Sequence, residues 1–182
     1  MEVYNAHEDA MQTDIEIVRE ICQELACISY IPITDRTAQA QLWEARHSSY
    51  ETIVRMNPDK KFQVMDVAVP ISKYPEIIAF GQEQLARYNM QAAFIGHAGD
   101  GNIHLTLPYS NADDLMAVKA VNRAIIERAI ALGGTATGEH GIGIGKVAYM
   151  QQEHGAALDV MRSIKQTFDP NGILNPGKVL PE

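Results

Sequence analysis

The chain has little cysteine, little positive charge and no long apolar run, and each shortage removes a class of function. Cys22 and Cys27 are its only cysteines. Five apart inside one helical pattern, they suit neither a disulfide nor a Cys-x-x-Cys redox pair, and their plain reading is reduced structural thiols in a cytoplasmic protein. Lys and Arg number 15 against 23 Asp and Glu, a net charge of −8, and no basic run exceeds Lys60-Lys61. A phosphate-backbone binding face is not expected, and nucleic acid is a poor candidate partner. No stretch approaches the roughly 18 apolar residues that a membrane-spanning helix needs, and Met1-Glu2-Val3-Tyr4 lacks a signal-peptide profile. The remaining composition, 46% hydrophobic and 21% charged over 182 residues, is that of one compact domain with a sizeable core.

Along the chain, Glu2 to Tyr4 reads as the end of a strand with nothing before it, the abrupt start expected of a truncated chain. From Asp9 to about Cys27, apolar residues recur at three and four, which predicts an amphipathic helix. Ile28 to Ile33 reads as a short strand closed by Pro32. Asp35 to Met56 reads as one helix carrying Trp43, Arg46 and Tyr50, and Phe62 to Val69 as a strand ending at Pro70. Ser72 is placed to cap a helix through Asn89, with Pro75 in its first turn. Phe94 to Gly96 and Ile103 to Leu107 are strands around a glycine-rich turn, and Asn111 caps a helix through Leu132 that stops at Gly133-Gly134. Helical residues run from Lys146 to about Phe168, followed by an extended tail rich in Pro and Asn. The hairpin signal and short elements predict an α+β fold, an antiparallel sheet with helices packed on one face.

Chemistry-bearing residues concentrate in two glycine-rich segments. In Gly96-His97-Ala98-Gly99-Asp100-Gly101-Asn102-Ile103-His104, a two-residue Asp100-Gly101 turn would set His97 opposite His104, close enough for both imidazoles to share a metal ion. A glycine turn with two hydrogen-bonded histidines is the plainer alternative. In Gly138-Glu139-His140-Gly141, a carboxylate and an imidazole stand side by side, and Glu139 as third ligand would leave open the coordination positions that a catalytic site needs. A purely structural loop remains the alternative there. The following Gly-x-Gly-Lys lacks the Ser or Thr and the earlier Gly of a phosphate loop, since Val147 and His140 stand at those positions. Its match to a dinucleotide fingerprint is loose, with no βαβ unit around it. Arg46 and Lys61 are candidate anion binders, and equally ordinary surface charges.

Taken in order, Trp43-x-x-Arg46, Asp66-Val67-Ala68-Val69-Pro70, the Gly96 to His104 segment, Gly138 to Gly143, and Phe168-Asp169-Pro170 through Asn175-Pro176-Gly177-Lys178 resemble the C-terminal domain of FAD-linked oxidases related to D-lactate dehydrogenase, the FAD subunit of glycolate oxidase and D-2-hydroxyglutarate dehydrogenase. The resemblance covers nearly the whole chain. It implies a ferredoxin-like cap, with residues 1–140 a partial substrate-binding domain and 141–182 helices and a tail that pack on an absent FAD-binding domain. It implies that His97, His104 and Glu139 ligate a divalent metal, zinc, and that His140 contacts substrate and acts as base. It further implies that Arg46, with Lys61, binds the substrate carboxylate, and that the tail around Asn175 reaches the flavin domain.

Where D-2-hydroxyglutarate enzymes are expected to carry a small hydroxyl residue after the arginine and Asn after the second histidine, this chain has Tyr50 and Thr106, which favours lactate, glycolate or a similar small acid. The implied activity is oxidation of a D-2-hydroxy acid by FAD, with an unidentified electron acceptor, in a chain inactive by itself. Apolar surface freed of its docking partner would favour a homo-oligomer. The competing reading is a stand-alone metal- or small-molecule-binding module without redox activity.

Overall fold

The computed structural model describes residues 7–181, so the strand expected at Glu2 to Tyr4 lies outside the described residues. The chain divides into two compact units, one running to Ile53 and the other starting at Val54.

The first unit is helical. Helix α1, Glu8–Glu24, ends in a Schellman turn in which the Cys27 N–H reaches Cys22 O at 2.9 Å, the Ala26 N–H reaches Gln23 O at 3.0 Å, and Ala26 is left-handed at φ 53°. That turn brings Cys22 and Cys27 together, so a spacing unlike that of a Cys-x-x-Cys pair is the one a Schellman cap closes. Ile28 to Ile33 forms no strand. Pro32 removes one donor, and among the described residues no strand pairs with this segment. The helix expected over Asp35 to Met56 is two, α2 (Arg36–His47) and α3 (Ser49–Met56). Its break falls at Ser48, whose hydroxyl donates to Glu44 O at 2.9 Å, a local bond that competes with helix continuation. Asp35 caps α2 by accepting the Ala38 N–H at 2.9 Å.

The second unit is the expected α+β domain. Strands β1 (Lys61–Ala68), β2 (Ala93–His97) and β3 (Asn102–Tyr109) form an antiparallel sheet in the order β1-β3-β2. Between β1 and β2 lies α4, Tyr74–Arg87, and after β3 comes α5, Ala112–Ala131. Strand alternation sends Met65 and Val67 of β1 and Ile103, Leu105 and Leu107 of β3 to one face, where they bury against Ile77 and Leu85 of α4 and Val118, Val121, Ile125 and Ile126 of α5. Each such side chain contributes about 2 kcal/mol when fully buried. Asn111 caps α5 as expected, accepting the Asp114 N–H at 2.9 Å, while Asp114 accepts from the Ser110 N–H. Ser72 does not cap α4: it lies in a 3-10 turn, Ile71–Lys73, that precedes it, and Pro75 occupies the first turn of the helix.

The continuous helix expected after Lys146 is interrupted. Short α6 (Gly143–Lys146) and α7 (Met150–His154) precede α8, Ala157–Phe168. In the tail that follows, Asp169 accepts the Ile173 and Leu174 N–H groups at 3.0 and 2.9 Å.

Candidate functional site

Because one face of the sheet is committed to the core, the other collects the alternate residues of the same strands, the polar Asp66, His97, Asn102, His104 and Thr106 among them. Strand register sets two rows across it: Ala68, Asn102 and His97 in one, Asp66, His104 and Ile95 in the next. This register corrects the expected hairpin. His97 pairs with Asn102, and His104 pairs with Ile95. The turn is longer than two residues: a 3-10 turn spans Ala98–Asp100, and Gly101 follows at φ 73°. A Cβ at Gly101 would sit 1.9 Å from Val69 O, so both the left-handed backbone and the close approach of the neighbouring chain require glycine there. Since the register differs from expectation by an even step, the side chains keep their face. His97 and His104 remain diagonal neighbours, their ring centroids 6.1 Å apart and edge to face.

Residues 137 to 140 close over this face. His104 Nε2 lies 2.8 Å from Glu139 Oε1, and the His140 ring stacks on His104 with centroids 4.9 Å apart and planes 11° from parallel. The ligand atoms of His97, His104 and Glu139 all lie within 4.8 Å of one another, as do those of a second, overlapping set, Asp66, His104 and His140. A two-imidazole, one-carboxylate set suits a catalytic divalent ion. Ala68, His97, Asp100, Asn102, Gly138 and Glu139 line an open cavity of about 310 Å³ beside it.

Beneath the cluster lies Asp66, a residue that sequence reasoning missed. It is fully buried. Its Oδ2 accepts from the His140 N–H (2.9 Å), the Glu139 N–H (3.0 Å), Thr137 Oγ1 (3.2 Å) and Lys146 Nζ (3.3 Å), and its Oδ1 from Asn102 Nδ2 (2.7 Å). Burial opposes its ionisation, but the His140 and Glu139 amides, the Asn102 carboxamide and the Lys146 ammonium outweigh that and hold the carboxyl well below the usual carboxylate range. His104 is pushed the other way: burial lowers its pKa more than the Asp66 and Glu139 carboxylates raise it. Lys146 is likewise lowered by burial against the pull of Asp66. Its ammonium also donates to the Asp66 main-chain O at 2.7 Å, so the lysine of the rejected phosphate-loop motif is engaged inside the protein. The sequence did hold a signal, a lone acid between apolar neighbours in a strand, Val64-Met65-Asp66-Val67.

Lys61 stands apart from this cluster. Lys61 opens β1, five residues from Asp66 and on the opposite face, ~17 Å along the strand. Arg46 lies in the first unit, on α2, with its guanidinium 5.5 Å from the centre of the Trp43 ring. Asn175 is exposed at a turn of the tail, left-handed at φ 48°, its carbonyl accepting the Lys178 N–H at 3.2 Å.

Residues 1–179 match the family described as FAD linked oxidases, C-terminal domain. Among curated relatives, the chain is 34% identical over 180 residues to a probable mitochondrial D-lactate dehydrogenase of Danio rerio, covering 97% of this chain and 36% of the relative. It is 37% identical over 177 residues to a mitochondrial D-lactate dehydrogenase [cytochrome] of Kluyveromyces lactis, covering 94% and 31%. It is 33% identical over 174 residues to the glycolate oxidase subunit GlcD of Bacillus subtilis, covering 94% and 37%. The chain thus spans about a third of the length of the curated relatives it matches. Among the described residues, no helix is long and apolar enough to cross a membrane.

Proposed function

The chain belongs to the family of FAD linked oxidases, C-terminal domain, and from that premise we propose that it is the substrate-side portion of a flavin-dependent oxidoreductase that converts a small D-2-hydroxy acid, of the lactate or glycolate type, to the 2-oxo acid. The observation that carries this is the meeting of His97, His104 and Glu139 on the polar face of the sheet, with His140 stacked beside them. Relatives named as D-lactate dehydrogenases and as a glycolate oxidase subunit support the substrate class.

In the proposed reaction His97, His104 and Glu139 would hold a divalent ion, zinc by the character of the donor set. When bound, that ion supplies Lewis acidity to the α-hydroxyl, and FAD, held mainly by the remainder of the longer protein, supplies the two-electron acceptor. His140 would take the hydroxyl proton on a ring nitrogen, and a bound flavin would supply the acceptor for the α-hydrogen as hydride, which balances the loss of two electrons and two protons from the acid. Arg46 is proposed to receive the substrate carboxylate, its planar fork matching two oxygens. Lys61 is left out of this scheme because of its place on the other face of β1. The tail around Asn175 is proposed to pack against the flavin domain, with a separate acceptor reoxidising the flavin. Free Cys22 and Cys27 suit a reducing compartment, and the cytoplasm is the one proposed.

The test combines this chain with the flavin-binding remainder of its longer protein and follows dye reduction with D-lactate, glycolate, D-2-hydroxyglutarate and L-lactate. Reduction by D-lactate or glycolate, abolished by a chelator and absent with L-lactate, is the expected result. A complex that holds both FAD and metal yet reduces dye with none of these acids would overturn the proposal.

A further inference from the structure

We propose that Asp66 is the positioning residue of this site: it stands outside the ligand set, bends the 137 to 140 loop so that Glu139 and His140 reach one pocket, and aims His104. The metal part of this inference rests on the reading given under Proposed function, while the loop part does not.

Adjacent residues on extended backbone point to opposite sides, so Glu139 and His140 share a pocket only if the chain turns between them. The two amides at that bend, those of Glu139 and His140, both donate to a single oxygen, Asp66 Oδ2. Thr137 ties the loop at both ends, donating to the same oxygen at 3.2 Å and accepting the Gly141 N–H at 2.8 Å. Gly138 lets the loop come this close, since a Cβ there would lie 2.0 Å from Asn102 Nδ2 and 2.7 Å from Asp66 Oδ1.

Oδ2 receives four donors, which commits it to the loop and to Lys146. Oδ1 receives only Asn102 among these bonds, and it faces His104 Nδ1 at 3.6 Å, a buried ring nitrogen with no hydrogen-bond partner. A proton on Nδ1 directed at Oδ1 leaves Nε2, the nitrogen beside Glu139, as the ligand, and carboxylate partners of ligating imidazoles work in this way. Lys146 holds both the main chain and the side chain of Asp66.

The experiment uses the purified chain and Asp66→Asn, with Co²⁺ titration read by visible absorption and amide hydrogen exchange read by NMR. The proposal expects Asp66→Asn to weaken Co²⁺ binding about 10- to 100-fold, with an altered absorption envelope and faster exchange at the Glu139 and His140 amides. Unchanged Co²⁺ affinity together with unchanged exchange overturns it. Should the unaltered chain itself take no Co²⁺, the metal reading fails, and exchange alone decides Asp66: faster exchange at those two amides upholds its hold on the loop, and unchanged exchange overturns it. If Asp66→Asn loses its cooperative melt, Gly138→Ala separates loop from carboxylate without altering any acid. Weaker Co²⁺ binding and faster exchange in that variant uphold the proposal, and no change in either overturns it.

A separate observation carries a second inference. We infer that Cys22 and Cys27 form a redox-modifiable dithiol, closed into an intramolecular disulfide by a low-molecular-weight disulfide of the glutathione type. The Schellman turn joins the two residues through the Cys27 N–H to Cys22 O bond, and Cys27 is exposed to an incoming reagent, with its Sγ 2.9 Å from Ser29 O. One thiolate attacks the reagent and releases its first thiol, and the second cysteine then displaces the other, so two protein thiols and one small disulfide become one protein disulfide and two small thiols. Non-reducing peptide mapping after treatment with oxidised glutathione should show Cys22 linked to Cys27, and Cys22→Ser should instead keep glutathione on Cys27. Stable glutathione on Cys27 of the unaltered chain, with no internal link, overturns the inference.

Discussion

His104 Nε2 and Glu139 Oε1 lie 2.8 Å apart, although one belongs to the central strand of the sheet and the other to a loop beyond α5. On the proposed reading, a divalent ion would sit between these two groups, which already stand within reach of each other. Glu139→Ala is therefore expected to lose bound zinc, while His140→Ala keeps it. In the reconstituted enzyme His140→Ala should lower kcat by roughly 10² to 10⁴, the range for a general base. Metal analysis of the three proteins checks the first statement, and equal zinc in Glu139→Ala and wild type would refute the ligand assignment.

Gly101→Ala should destabilise the second unit by at least about 2 kcal/mol, because a left-handed alanine is strained and its methyl meets Val69 O. Urea unfolding followed by circular dichroism measures this. A midpoint within error of wild type would mean that the turn relaxes despite the packing of Val69 against it.

Asp169 gives the tail a pH dependence of defined sign. The Lys165 ammonium, against burial and with help from the Leu174 and Ile173 amides, holds its carboxyl below the usual range. A depressed carboxylate stabilises the fold fully above its unfolded pKa, near 4, and loses that contribution as pH falls toward the lower folded value. The Ile173 and Leu174 amide signals should thus stay constant at neutral pH and titrate together only below about 4. Asp169→Asn should abolish that titration, and a midpoint above 4 would contradict the expectation.

Helix α8 presents Val160, Ile164 and Phe168 to solvent, with Phe168 81% exposed, and Ile173 and Leu174 follow in the tail. Apolar surface of this kind favours association. The purified chain is expected to bind ANS and to self-associate with rising concentration in analytical ultracentrifugation, and Ile164→Glu with Phe168→Glu should reduce both. A monomer silent to ANS at all concentrations would count against it.

Much of this was legible locally. The cap of α5 at Asn111 and the Pro75 start of α4 depend on residues within a turn of each other, so their chemistry is written in adjacent letters. The family's motifs, Gly96 to His104 and Gly138 to Gly143, likewise named the metal and base candidates without a structure. Less local features failed. The hairpin register depended on the number of residues the turn consumes, which Asp100-Gly101 alone did not fix because Val69 packs against Gly101 from outside the hairpin.

By itself, then, the sequence determined the α+β pattern, the face of the sheet each histidine takes, and the residues able to bind a cation, because a period of two survives any even slip in register. Only the tertiary structure decided that Asp66 would lie beneath them. A buried carboxylate is stable only where donors converge on it, and its donors come from Asn102 on the neighbouring strand and from Thr137, Glu139, His140 and Lys146, which reach it only after β2, β3 and α5 have folded between.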